Sequence, residues 1–194
     1  MTSQRTVDRA RNRLTSRDLA LVASFAALIA VLGLPGAFLL PGNPVPITLQ
    51  TLGVMLAGSI LGWKRGALSV MVLLLVAAGL PLLSGGRTTI TAFAGPSAGY
   101  LVGWVFGAAV IGWLVQRRLP AYPLWWGGLA NVLGGIGVVY LFGIPVFAVR
   151  TGTSLLVAAT ASIGFLVGDA VKVVIATAVA SAVHRGHPGI TGKR

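Results

Sequence analysis

The chain contains no cysteine, which excludes a disulfide framework, a thiolate metal site and a cysteine nucleophile. Acidic residues are almost as scarce: Asp8, Asp18 and Asp169 stand against fifteen lysines and arginines, a formal charge of +12. The two histidines, His184 and His187, follow the last apolar stretch. No imidazole is therefore expected inside the apolar part for metal ligation or general-base work, and no metal or cofactor is expected. No Gly-x4-Gly-Lys-Ser/Thr phosphate loop occurs, so the chain is not expected to hydrolyse ATP itself. Charged residues total 9%, against roughly 25% in an ordinary soluble domain. A soluble fold of this composition would have too little polar surface.

What is present is apolar sequence, 56% of the residues with a mean hydropathy of +0.90. A transmembrane helix needs roughly 20 mostly apolar residues, and six stretches qualify: Leu19–Leu40, Pro46–Gly62, Gly66–Leu83, Ala98–Val115, Trp125–Val149 and one within Thr153–Val183. The last is too long for one ordinary span, so its first part reads as a connecting segment and the helix proper as starting near Gly164, with Asp169 in its first turns. The expected fold is an all-α integral membrane bundle of six transmembrane helices, with a basic segment 1–17 before the membrane domain 18–184 and a short basic tail 185–194. Arg5, Arg9, Arg11, Arg13 and Arg17, then Lys64 and Arg65, Arg117 and Arg118, and Arg185, Lys193 and Arg194 all fall on one side of this arrangement. Cytoplasmic loops are the ones enriched in lysine and arginine, so both termini are expected in the cytoplasm. Topology thus accounts for the positive charge without a nucleic acid partner. Trp63, Trp113, Tyr122, Trp125 and Trp126 lie at the same edge, where aromatic rings favour the headgroup layer. A cleaved signal peptide is the rival reading of the N-terminus, but the apolar run from Leu19 exceeds the usual h-region of roughly 7–15 residues.

Asp169 alone among the acids enters a span. A carboxylate there costs roughly 2.5–3.5 kcal/mol on insertion scales, so it calls for a partner or a cavity. Lys172 lies three residues on, near the same helix face. Either the two merely neutralise each other and lock helix packing, or they offer an acceptor and a cationic donor to one small molecule bearing an N–H group and a carboxylate. In Pro44-Val45-Pro46-Ile47-Thr48-Leu49-Gln50-Thr51, Pro46 suits a first helical position, and Thr48 and Thr51 share a face. Their hydroxyls either bond back to the helix's own carbonyls or meet a ligand, whereas the Gln50 amide needs external partners. The outer connection Ser84-Gly85-Gly86-Arg87-Thr88-Thr89 carries Arg87 against the charge bias, which suits an anion unless the side chain is simply solvated; Arg150 carries a weaker version of the same argument. Ala23, Ala26, Ala27 and Ala30 put small residues where another helix can approach. Asn131 reads equally as interhelical glue or as a site residue. With one membrane acid the chain is poorly equipped for an ion relay, so uphill transport would need energy from another subunit.

The run Val45-Pro46-Ile47-Thr48-Leu49-Gln50-Thr51-Leu52-Gly53-Val54, the turn Gly95-Pro96-Ser97-Ala98-Gly99-Tyr100-Leu101 and the late Gly168-Asp169-x-x-Lys172 resemble the biotin-specific substrate-binding components of energy-coupling-factor (ECF) importers, the BioY family. The likeness covers nearly the whole chain after the basic N-terminus. It departs at Ser97 and Ala98, where the family more often has threonine and glycine. The resemblance implies a six-helix subunit that captures biotin at the outer face and works with a transmembrane coupling protein and two cytoplasmic ATPases. It also implies that Asp169 and Lys172 belong to the biotin pocket, that Tyr100 and the Gly95-Pro96 turn shape it, and that the Gln50 segment lines or closes it. Ala23 and Ala27 would face the coupling protein. On this basis Asp169 is expected to accept from the ureido N–H, with Lys172 or Arg87 meeting the carboxylate; Thr48 and Asn131 complete the candidate set. A carrier for a riboflavin-like or thiamine-like vitamin, and an intramembrane enzyme using Asp169 and Lys172 as acid and base, are the rival readings.

Overall fold

Helix α1 (Ser16–Val31) opens on a capping box in which the Thr15 hydroxyl accepts from the Asp18 amide and the Asp18 carboxylate accepts from the Thr15 amide. It stops ahead of Leu34-Pro35-Gly36, because proline lacks an N–H and restricts the residue before it. The first span therefore ends well short of the expected Leu40. The structure is a computed structural model that describes residues 14–37, 39 and 43–191. Expectations placed on Arg5, Asp8, Arg9, Arg11, Arg13, Leu40, Lys193 and Arg194 lie outside the described residues.

Helix α2 spans only Gln50–Leu61, so Pro46 is not at a first helical position. Residues 43–49 are irregular instead, and they are held from outside: Asn43 donates to the Ala161 carbonyl at 3.0 Å and accepts from the Val45 amide at 2.9 Å. Thr48, ahead of the helix rather than on its face, accepts from the Gln50 amide at 3.2 Å. After Gly62, α3 (Trp63–Gly79) follows at once. The connection expected to be a plain loop contains a short helix α4 (Thr89–Ala94), capped by Thr88. Helix α5 (Ala98–Gln116) matches the expected fourth span. Helix α6 (Leu124–Asn131), a π-helical segment Val132–Val138 and α7 (Val139–Thr151) run on as one rod. Helix α8 (Leu155–Gly186) is a single helix of 32 residues, begun by a Ser154 cap. The expectation of a start near Gly164 is thus overturned, and Asp169 sits near the middle of α8 rather than in its first turns.

Ten of the twelve residues of α2 are buried, and α1, α3, α5 and α8 surround it. Backbone meets backbone where α5 crosses the π segment: a Cβ added at Gly107 would lie 2.6 Å from the Gly134 carbonyl oxygen, and one added at Gly134 would lie 2.7 Å from that of Gly107, the close approach that small residues permit. The outside is apolar, with Leu75, Leu141, Leu156 and Val167 each about 70% exposed or more. Helix α5, the rod Leu124–Thr151 and α8 are long and apolar enough to cross a membrane. Among the described residues all regular elements are helical.

The basic loops gather at one end. Arg65 bridges Asp18 at 3.0 Å and donates to the Ile190 carbonyl at 2.7 Å, tying the starts of α1 and α3 to the chain beyond α8. Trp126 donates to the Leu114 carbonyl at 2.8 Å, and the Arg117 guanidinium lies 3.6 Å from the Trp113 ring centre. His184, expected beyond the apolar part, is buried in the last turns of α8, with its Nε2 2.8 Å from the Ser59 carbonyl oxygen. Arg87 and α4 lie at the opposite end, where Arg150, at the end of α7, donates to the Phe93 carbonyl at 3.4 Å.

Candidate ligand-binding site

The spacing of Asp169 and Lys172 puts them on one face of α8, and Lys172 Nζ lies 2.9 Å from Asp169 Oδ1, both side chains buried. Neither is left with one partner. Tyr140, in the first turn of α7, donates its hydroxyl to Asp169 Oδ2 at 2.6 Å, and Lys172 also donates to Thr51 Oγ1 at 2.9 Å. A buried pair survives desolvation only with such further hydrogen bonds. The π segment stands immediately before Tyr140, and Gly135, Val139 and Tyr140 present themselves to one hollow of about 600 Å³, counted to its open mouth.

Its walls are mostly apolar and aromatic. Tyr100, Tyr140 and Phe165 meet edge to face, with ring centres 6.1–6.4 Å apart, the arrangement ring quadrupoles favour. The Tyr100 hydroxyl donates to Ser162 Oγ at 2.9 Å, since the serine's own proton goes to the Ala158 carbonyl. Trp104 lies one turn beyond Tyr100 and completes this side.

Arg87 reaches the hollow from a hairpin closed by the Leu83–Arg87 backbone pair. Gly85 and Gly86 turn it at φ 78° and 69°, a left-handed conformation that glycine adopts without strain. The guanidinium donates to the Ser84 carbonyl and to Ser97 Oγ, both at 3.2 Å. Both acceptors are neutral, and among the described residues no carboxylate bridges Arg87. Burial draws its pKa down, yet arginine stays charged. The site therefore holds one neutralised ion pair and one cation without a counter-charge.

Of the expected residues, Asp169, Lys172, Arg87, Gln50, Thr48 and Tyr100 come together around the hollow. Asn131 does not. Fully buried between α6, α2 and α8, it donates to the Gly127 carbonyl (2.9 Å) and Thr177 Oγ1 (3.3 Å) and accepts from Ser59 Oγ (3.1 Å). Ala23 and Ala27 lie exposed on the outside of α1. Tyr140, Trp104 and Phe165 escaped the sequence reading. A signal existed, since a phenol in an apolar stretch needs a partner and Phe165 precedes Asp169 by four residues. A second groove of about 710 Å³, between the end of α1 and residues 81–86, offers no polar side chain to orient a ligand. Among the described residues no cluster of His, Asp or Glu could hold a metal ion.

A mostly dry hollow within an apolar-sided helical bundle, with polar groups converging on it from three directions, defines a membrane protein that binds a small organic molecule. The chain belongs to the BioY family, whose model matches residues 4–189. It is 47% identical over 184 residues to the biotin transporter BioY of Rhizobium etli, covering 90% of this chain and 97% of that one, and 45% identical over 184 residues to that of Rhodobacter capsulatus, covering 89% and 95%. A crystal structure of the S-component for biotin from an ECF-type ABC transporter superposes with a TM-score of 0.83 at 29% identity, covering 91% of this chain and 95% of that one. The fold is that of an S-component, and the family is one of transporters, not enzymes.

Proposed function

We propose that this protein is the biotin-capturing subunit of an ECF importer in the cell membrane, taking the vitamin at the outer face. One observation carries the reading: a buried, mutually neutralised Asp169–Lys172 pair borders the same apolar hollow as an arginine that lacks a counter-charge. Biotin fits this pattern. Its ureido N–H groups would donate to the free lone pairs of Asp169, its fused rings would pack against Tyr100, Tyr140 and Phe165, and its carboxylate would meet Arg87. Lys172 is the weaker candidate for the carboxylate, because Asp169 and Thr51 already hold its ammonium.

In this reading six helical passes cross the membrane, the basic end faces the cytoplasm, and both termini lie there, flanking a membrane domain over 18–184. The twelve residues of α2 extend only about 18 Å. Residues 43–49 continue that pass as irregular backbone, which bilayer depth tolerates where it is buried or lines a cavity. A coupling protein and two ATPase subunits supply the energy this chain lacks, with exposed Ala23 and Ala27 on the face that would receive the coupling protein.

Thermal unfolding of the detergent-solubilised protein tests the assignment. Biotin at 100 times its Kd stabilises by about 2.7 kcal/mol if it binds only the folded state. A melting temperature raised by biotin and untouched by riboflavin or thiamine is expected; one that biotin leaves unmoved at millimolar concentration refutes the proposal.

A further inference from the structure

The Gln50 side chain borders the hollow, but its amide protons are already engaged by backbone. Nε2 donates to the Ile29 carbonyl in α1 and to the Leu82 carbonyl ahead of the hairpin, both at 3.2 Å, and Oε1 accepts from the Ser84 amide at 2.9 Å. An amide nitrogen carries two protons, so none remains for a ligand, and the residue is only 1% exposed. Ser84 continues the connection: its carbonyl accepts from Arg87 Nε at 3.2 Å, and its hydroxyl donates to the Gly36 carbonyl. Leu83 and Arg87 then close the hairpin through two backbone hydrogen bonds of 3.0 and 3.1 Å. One side chain thus joins α1, α2 and the hairpin that presents the guanidinium. Removing it would strand a buried N–H at Ser84, which only movement or water could satisfy.

We infer that Gln50 is a positioning residue: it pins the outer hairpin to α1 and α2 and thereby holds Arg87 where the ligand's carboxylate meets it. This rests on the reading of Arg87 as the carboxylate partner. It separates two roles for polar groups at the mouth, since Arg87 supplies the charge and Gln50 fixes where the charge stands.

The test compares biotin with biotinol, which carries an alcohol in place of the carboxylate, by the ratio of their Kd values on the purified chain. Arg87→Gln should reduce the preference for biotin on the order of 10- to 100-fold, the worth of a charge-assisted hydrogen bond. Gln50→Met, an apolar side chain of similar size, should reduce it to within about threefold of that level while leaving biotinol affinity nearly unchanged, and the double variant should lose nothing more. Gln50→Asn, with the same groups one methylene short, serves as the second variant and should show the same selective loss in smaller measure. Hydrogen exchange across residues 80–88 should quicken in both Gln50 variants. If Arg87→Gln keeps the preference, the carboxylate reading fails and takes this inference with it. If Arg87→Gln abolishes the preference while both Gln50 variants retain it, or weaken both ligands equally, the carboxylate reading stands and the inference is overturned.

Discussion

Replacing Asp169 alone should destabilise the fold more than replacing it together with Lys172, while the two changes should have the same effect on binding. In Asp169→Asn the buried Lys172 ammonium keeps its hydrogen bond to Thr51 and an amide oxygen as acceptor but loses its counter-charge. An uncompensated buried charge of this kind costs about 3–5 kcal/mol, a large share of a total stability of about 5–15 kcal/mol. Asp169→Leu with Lys172→Met removes both charges and leaves apolar groups of similar volume, an exchange that is often neutral. The Tyr140 hydroxyl then loses its acceptor, and the Thr51 hydroxyl, which still donates to the Thr48 carbonyl, loses its donor, at about 1 kcal/mol or less each, so the double variant should recover part of the loss. Biotin binding should fall by roughly 10- to 150-fold in the single variant, the worth of a hydrogen bond to a charged group, and should not return in the double. Thermal unfolding and radiolabelled biotin binding on the same detergent preparations read the two quantities separately. A double variant that is restored in stability and binds biotin like the parent would refute the reasoning, because the pair would then serve packing alone.

Three further outcomes follow from particular contacts. Tyr140→Phe removes the donor 2.6 Å from Asp169 but keeps the ring, so biotin affinity should drop roughly tenfold while the melting temperature shifts little; equal binding would remove Tyr140 from the site. Asn131→Leu strands the Ser59 hydroxyl and breaks the tie to Thr177, so it should destabilise by about 1–3 kcal/mol without changing biotin affinity once folded; a selective loss of binding would contradict its placement between helices. Asp18, ahead of the apolar run, has its carboxyl held below the ordinary carboxylate pKa by the Thr15 amide first, then the Thr15 hydroxyl and Arg65. A depressed folded-state pKa means its stabilisation is complete above the unfolded value of about 3.9 and is lost as pH falls through the lower folded value. Asp18→Asn should flatten the acid limb of a stability–pH curve by a surface-scale few tenths of a kcal/mol, and an unchanged acid limb would show that the contact contributes nothing.

The sequence exposed the parts of this molecule that composition and charge dictate. Apolar runs located the helices, and the alternating basic loops do meet at one end, at Arg65, Arg117, Arg118 and the end of α8. An acid with a lysine three residues on, inside an apolar stretch, was visible as one unit because i,i+3 geometry is local. The rest depended on contacts that local pattern does not carry. Pro46 reads as a helix start, yet residues 43–49 stay irregular because Asn43 is satisfied 118 residues away. The overlong last stretch is one helix because α2 and the rod pack along it, something its length alone leaves open. Gln50 and Asn131 posed the same problem, a buried amide in need of partners. One is answered by the backbone of the outer loops and the other by side chains between helices, and no periodicity separates those answers.

The charge balance of the hollow narrows the ligand further than the polar inventory does. Because Lys172 neutralises Asp169 at 2.9 Å, the pair presents hydrogen-bonding capacity without net charge, which suits a neutral head group. The remaining formal charge on the wall is that of Arg87, so the best-matched ligand carries one negative charge away from a neutral, N–H-bearing ring system. A thiamine-like cation would place like charge in a poorly solvated space beside Arg87, where such contacts are costly. A riboflavin-like molecule would leave the guanidinium desolvated without an anion. Biotin, with its neutral ureido ring and carboxylate tail, satisfies both requirements, and the same logic predicts that esterifying the carboxylate should weaken binding far more in the parent than in Arg87→Gln.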